Sequence, residues 1–111
     1  MKRVFLLVML TLPVFCQADV KVYGIGGRPC SAFVEAANNA RHGDTVMVDL
    51  FMHWFGGFAT LASVEWRQDV LFGKGISDMQ FELEVYCRSN PDERFLIAAS
   101  EVTRGRAARE Q

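Results

Sequence analysis

A chain of 111 residues with 12 Lys and Arg, 13 Asp and Glu and 50% hydrophobic residues has room for one small domain. Its formal charge of −1 excludes a strongly basic nucleic-acid binder and a polyanionic tail, and its 12% aromatic content excludes a disordered chain. What remains is a compact module whose function must fit on a small surface.

Lys2 and Arg3 open the chain, Val4 to Phe15 is apolar apart from Thr11 and Pro13, and Cys16-Gln17-Ala18 ends on a small residue. This pattern predicts a cleavable signal peptide over 1–18, hence a periplasmic or secreted protein starting at Asp19. An uncleaved anchor is the competing reading, but the run is shorter than the ~20 residues a span needs. The bulky Phe15 argues against lipid attachment at Cys16. Loss of 1–18 leaves 10 basic residues against 13 acidic ones, a net charge of −3, and two cysteines, Cys30 and Cys87. An even pair in an exported chain predicts a disulfide, while a metal site would need more ligands.

Along the mature chain, Asp19 to Tyr23 reads as a short extended stretch and Gly24-Ile25-Gly26-Gly27 as a loop. A dinucleotide fingerprint would need another glycine where Pro29 stands. Ser31 is placed to cap a short helix whose apolar face is Ala32, Phe33, Ala36, Ala37 and Ala40, with His42-Gly43 as the stop. Asp44 is placed to cap a second helix, Thr45 to about Ala62. Its exceptions to apolarity are Asp49, His53, Gly56 and Thr60, spaced to draw one narrow polar stripe. Such a helix must be covered on most sides, by its own chain or by a partner. Gly56-Gly57 point to close backbone approach or a kink. A membrane span is disfavoured by Asp49 and His53.

Ser63 to Gly75 is long for a connection and is a candidate binding loop, with Trp66 and Val70-Leu71-Phe72 as its apolar patches. Residues 79–87 alternate as a half-buried strand would, yet Ser77-Asp78-Met79-Gln80 matches a helix capping box. A lone strand would lack a partner, so helix is the preferred reading. The last helix is predicted from an Asn90 cap, with Pro91 and Asp92-Glu93 in its first turn and Gly105 as its end; 106–111 is then a polar tail. The fold class is therefore all-α: about four helices and one disulfide over 19–105, after a short extended segment.

Reactive chemistry is sparse. Asp49 and His53 stand four apart and could act as an oriented base, but no nucleophile or metal-ligand partner accompanies them in sequence. The expectation is a non-enzyme without cofactor or metal. Aromatic anchors dominate interface energy, so Trp54, Phe55, Phe58, Trp66 and Phe72 are the candidate partner contacts.

Cys30-Ser31-x-Phe33, Trp54-Phe55-Gly56-Gly57-Phe58 and Tyr86-Cys87-Arg88-Ser89-Asn90-Pro91 with Ala98-Ala99 resemble the layout of the HdeA-like periplasmic helical proteins. They also resemble the immunity proteins that guard bacteria against type VI secretion effectors and, in outline, the phage-encoded Spackle proteins. The resemblance implies one of three binding roles: an acid-stress chaperone for unfolding clients, an immunity factor against a cell-wall-degrading effector, or an inhibitor of a phage lysozyme that excludes a second infection. The expected function is a protein-binding inhibitor or immunity factor, with the chaperone as the alternative. The apolar second helix also predicts a homodimer or a tight partner complex.

Overall fold

The computed structural model describes residues 21–110. Among the described residues four helices carry the fold: α1 Cys30–Arg41, α2 Val46–Trp66, α3 Gln80–Ser89 and α4 Phe95–Arg109. Short 3-10 turns, Gly24–Gly27 and Ile76–Met79, precede α1 and α3. Among the described residues there is no strand, only one antiparallel bridge between Pro29 and Arg94. The all-α expectation holds, and 79–87 is helical rather than extended. The signal peptide expected at 1–18 lies outside the described residues, as do Asp19 and Val20. Residues 21–23 form no regular element, and the expected glycine loop is a 3-10 turn.

The amino end of α1 is capped by main chain, not by Ser31. Pro29 occupies the cap position. The free N–H groups of Cys30 and Ser31 donate to the carbonyl oxygens of Glu93 (2.7 Å) and Pro91 (3.0 Å), and the Phe95 N–H donates to the Arg28 oxygen at 2.8 Å. The α3–α4 link thus satisfies donors that a helix start leaves unpaired. Cys30 and Cys87 are disulfide-bonded at the same junction, with Cα atoms 4.8 Å apart and a separation of 57 residues. On the chain-entropy view, closing such a loop contributes about 4 kcal/mol. That is a large share of a small domain's total.

The core lies between α2 and the other three helices. Val48, Phe51, Met52, Phe55 and Ala59 form the buried face of α2. The rings of Phe33, Phe51 and Phe95 meet with centroids 4.8 to 5.3 Å apart. Each such ring is fully buried, worth about 1.5–3 kcal/mol relative to exposure. A Cβ on Gly56 would fall 2.7 Å from Cδ1 of Ile76 and one on Gly57 would meet nothing within 4 Å, so what approaches α2 here is a side chain at Gly56 and not a second backbone at both glycines.

Several boundaries differ from expectation. Thr45, not Asp44, holds the cap position of α2, although an Asp44 carboxylate oxygen accepts from the Val46 N–H at 3.3 Å. This helix runs one turn beyond Ala62, ending at left-handed Arg67 (φ 53°), with the Gln68 N–H donating to the Ser63 oxygen. The expected 63–75 loop therefore shrinks to 67–75, and its Val70 and Leu71 are buried in the core. Asn90 does not cap α4. Its side chain donates to the Tyr86 oxygen at the end of α3, and α4 starts only at Phe95. Nor does Gly105 end α4, and 106–109 is not a frayed tail: the helix continues to Arg109 with Arg106 buried.

Candidate functional site

The predicted aromatic anchors do not form one surface. Phe55 is fully buried and is corrected from partner contact to core. Trp54 is half-buried beneath the first 3-10 turn, its indole N–H donating to the Tyr23 oxygen at 3.0 Å. Phe58 is also half-buried and stacks near Trp54, with centroids 6.0 Å apart. Together with Tyr23, Leu61 and Leu96 these two line an open apolar cleft of about 510 Å³. Trp66 stands at the last residue of α2, 44% exposed. Phe72 is half-buried in the loop, in a left-handed conformation (φ 52°).

The loop that carries Phe72 is pinned from two sides. The Asp69 carboxylate accepts from the N–H groups of Gly73 (2.7 Å) and Leu71 (2.9 Å), and these bonds, Gly73 foremost, hold its carboxyl below the ordinary value. From the other side, Arg106 Nε donates to the Leu71 oxygen at 3.1 Å. The guanidinium of Arg106 also meets Glu82, which Arg109 reaches as well, both at 3.3 Å. A buried cation on α4 thus ties the loop to α3.

That tie frames a cleft that sequence reasoning did not assign. Phe81, Val85 and Tyr86 of α3 and Val102 of α4 form its apolar floor, and Lys74, Glu82, Glu101 and Arg109 stand around it. The cleft holds about 740 Å³, and Phe81 is 73% exposed. An apolar centre inside a rim of mixed charge is the anatomy of protein interfaces. The alternation of Phe81, Leu83 and Val85 reads as a buried face, but on a helix Leu83 turns inward while Phe81 and Val85 turn out.

Two polar arrangements brace α3. Glu84 is buried and accepts from Arg88 at 2.7 Å and from Arg41 of α1, while Asn38 accepts from the same two arginines. Burial pushes the Glu84 carboxyl up, but the hydrogen bonds from Arg41 and Arg88 outweigh it and leave the group below its ordinary value. The Tyr86 hydroxyl donates to Glu93 at 2.7 Å, which raises the phenol to about 12.

The expected Asp49–His53 pair is not formed through side chains. His53 Nδ1 donates to the main-chain oxygen of Asp49 at 2.7 Å, so the carboxylate does not orient the ring. The polar stripe on α2 is also broken, because Gly56 is buried while Asp49, His53 and Thr60 are exposed. Among the described residues, no three His, Cys, Asp or Glu side chains gather as a metal site would require. By length and composition α2 could cross a membrane, and only about a third of its most apolar stretch is buried. Its Phe51–Phe55–Ala59 face nevertheless belongs to the core.

No family model, curated protein or solved structure matches the chain.

Proposed function

We propose that the protein is an exported, non-enzymatic binding module that blocks a cell-wall-degrading enzyme, either a delivered toxin effector or a phage lysozyme. The observation that carries this reading is the α3–α4 cleft. Phe81 and Val85 sit exposed on a short helix that the disulfide and Glu84 brace from behind and that Arg106 ties at the edge of the cleft. A rigid apolar patch with a charged rim binds protein without the cost of ordering itself. Export is supported by the apolar 1–18 segment of the sequence and by the disulfide, which belongs to oxidising compartments. The choice of a cell-wall enzyme as partner follows the resemblance to immunity and Spackle proteins.

A photo-reactive phenylalanine at position 81 tests the reading in the periplasm. The expected product is a covalent complex with a peptidoglycan hydrolase whose turnover falls when the protein is added. Absence of any such complex, or a hydrolase with unchanged turnover, would overturn it.

The acid-chaperone alternative draws on one observation, the buried Glu84 between Arg41 and Arg88. Protonating this carboxylate would loosen α1 from α3 while the disulfide kept them tethered, exposing apolar surface. Light scattering of an aggregating client at about pH 2 to 3 separates the readings, since suppression there is expected only of a chaperone.

A further inference from the structure

Among the described residues, nothing covers the outward face of α2. Val46, Leu50, His53, Gly57, Leu61 and Val64 follow one another at steps of four, three, four, four and three, which keeps them on one straight face of an α-helix. All six are exposed, and the four aliphatic side chains are each between half and two-thirds accessible. None carries a formal charge. From Val46 to Val64 the seam runs about 27 Å at the rise of an α-helix.

This seam is nearly its own mirror image about Phe55. Val46 and Val64 stand nine residues to either side, Leu50 and Leu61 five and six, and His53 and Gly57 two. We infer that α2 pairs antiparallel with α2 of a second copy, across a two-fold axis on the exposed face, level with the buried Phe55. In that register each Val46 lies beside the partner copy's Val64 and each Leu50 beside its Leu61. The one bulky polar residue, His53, falls opposite Gly57, which has no side chain to oppose it. Leu50 also comes level with the open cleft that Gly57, Phe58 and Leu61 line. An isologous pairing of this kind needs a patch complementary to itself, and the match of His53 to Gly57 supplies it.

Gly57 is the decisive residue because nothing among the described residues asks for it. A Cβ built there meets no atom within 4 Å and its φ is not positive, so a larger residue would be tolerated and would favour the helix. Gly56, by contrast, is held by Ile76. A parallel pairing would set His53 on His53 and Gly57 on Gly57, crowding one layer and emptying the next. Spanning a bilayer with α2 would pull Phe51 and Phe55 out of the core, and binding flat on a membrane surface is separated from pairing by the vesicle arm of the test.

The test is the association state of the intact protein, measured by sedimentation. The native chain should dimerise at roughly 100 μM or below, and Gly57→Leu should weaken association by about tenfold or more. The thermal midpoint of the dissociated variant should not fall. A chain carrying both Val46→Cys and Val64→Cys should cross-link into dimers, while Val46→Cys alone should not. A native chain monomeric at that concentration, an undiminished Gly57→Leu dimer, cross-linking by Val46→Cys alone, or α2-dependent uptake by anionic vesicles in place of dimerisation would each overturn the pairing. Because Gly57 does not line the α3–α4 cleft, Gly57→Leu should leave hydrolase inhibition intact, which separates this inference from the proposed function.

Discussion

Gly26 lies flat against the indole of Trp54: a Cβ on Gly26 would stand 2.0 Å from Cζ2 and 2.2 Å from Cε2. With the Trp54 N–H bonded to the Tyr23 oxygen, this contact fastens the segment before α1 onto α2. Gly26→Ala must displace a ring that also meets Phe95 at 5.9 Å between centroids. The expected cost is about 1–3 kcal/mol, read as a lower denaturation midpoint. Gly57→Ala, whose Cβ meets no atom of its own chain within 4 Å, serves as the control when both variants are compared as monomers.

Arg106 separates a structural helix end from a polar tail. Removing its side chain strands the Leu71 carbonyl and unpairs Glu82 from its buried partner. Arg106→Ala should cost about 2–3 kcal/mol. Truncation after Gly105 should cost at least as much, because Arg109 is lost as well. Chemical denaturation of both variants checks this, and an unchanged midpoint for either would return 106–111 to the role of a tail.

Acid should weaken the α1–α3 seam through Glu84. Its folded-state carboxyl lies below the ordinary value of 4.5, so the stabilisation is complete above that value. It is lost as the pH falls through the lowered folded value. Glu84→Gln should lower stability at neutral pH by about 1–3 kcal/mol. It should also flatten the decline on acidification, measured as thermal midpoint against pH from about 7 to 2. Parallel curves for the native protein and the variant would remove Glu84 from the acid response.

Arg67 closes α2 in a left-handed conformation where glycine is the usual residue. Its φ of 53° and its N–H bonds to the Ser63 and Val64 oxygens are backbone features that glycine would keep. Arg67→Gly should therefore stabilise the protein, by about 0.5–1 kcal/mol after allowing for glycine's greater freedom in the unfolded chain. Calorimetry would show the midpoint rising; a fall would mean that the arginine stem packs on something the turn depends on.

The four helices and the Cys30–Cys87 bond were legible in the sequence because apolar spacing and cysteine parity depend on few competing effects. Helix ends were less so. Asn90-Pro91-Asp92-Glu93 looks like a helix start, yet the carbonyls of Pro91 and Glu93 are engaged in capping α1, a long-range demand no local pattern reveals. Gly105 looks like a stop, but burial of Arg106 against Leu71 carries the helix past it. The candidate site was the least legible part. Aromatic identity drew attention to Phe55, which the core absorbs, and away from Phe81, whose exposure is decided by which side of α3 the disulfide and Leu83 turn inward.

The most direct measurement of the central claim is peptidoglycan turnover by the captured hydrolase in the presence of the native protein or Phe81→Asp. Because Phe81 projects into solvent, the variant should melt at the native midpoint. The account predicts that it nevertheless loses inhibition by about a hundredfold, as an interface anchor does when a charge replaces it. Full inhibition by a correctly folded Phe81→Asp protein would contradict it.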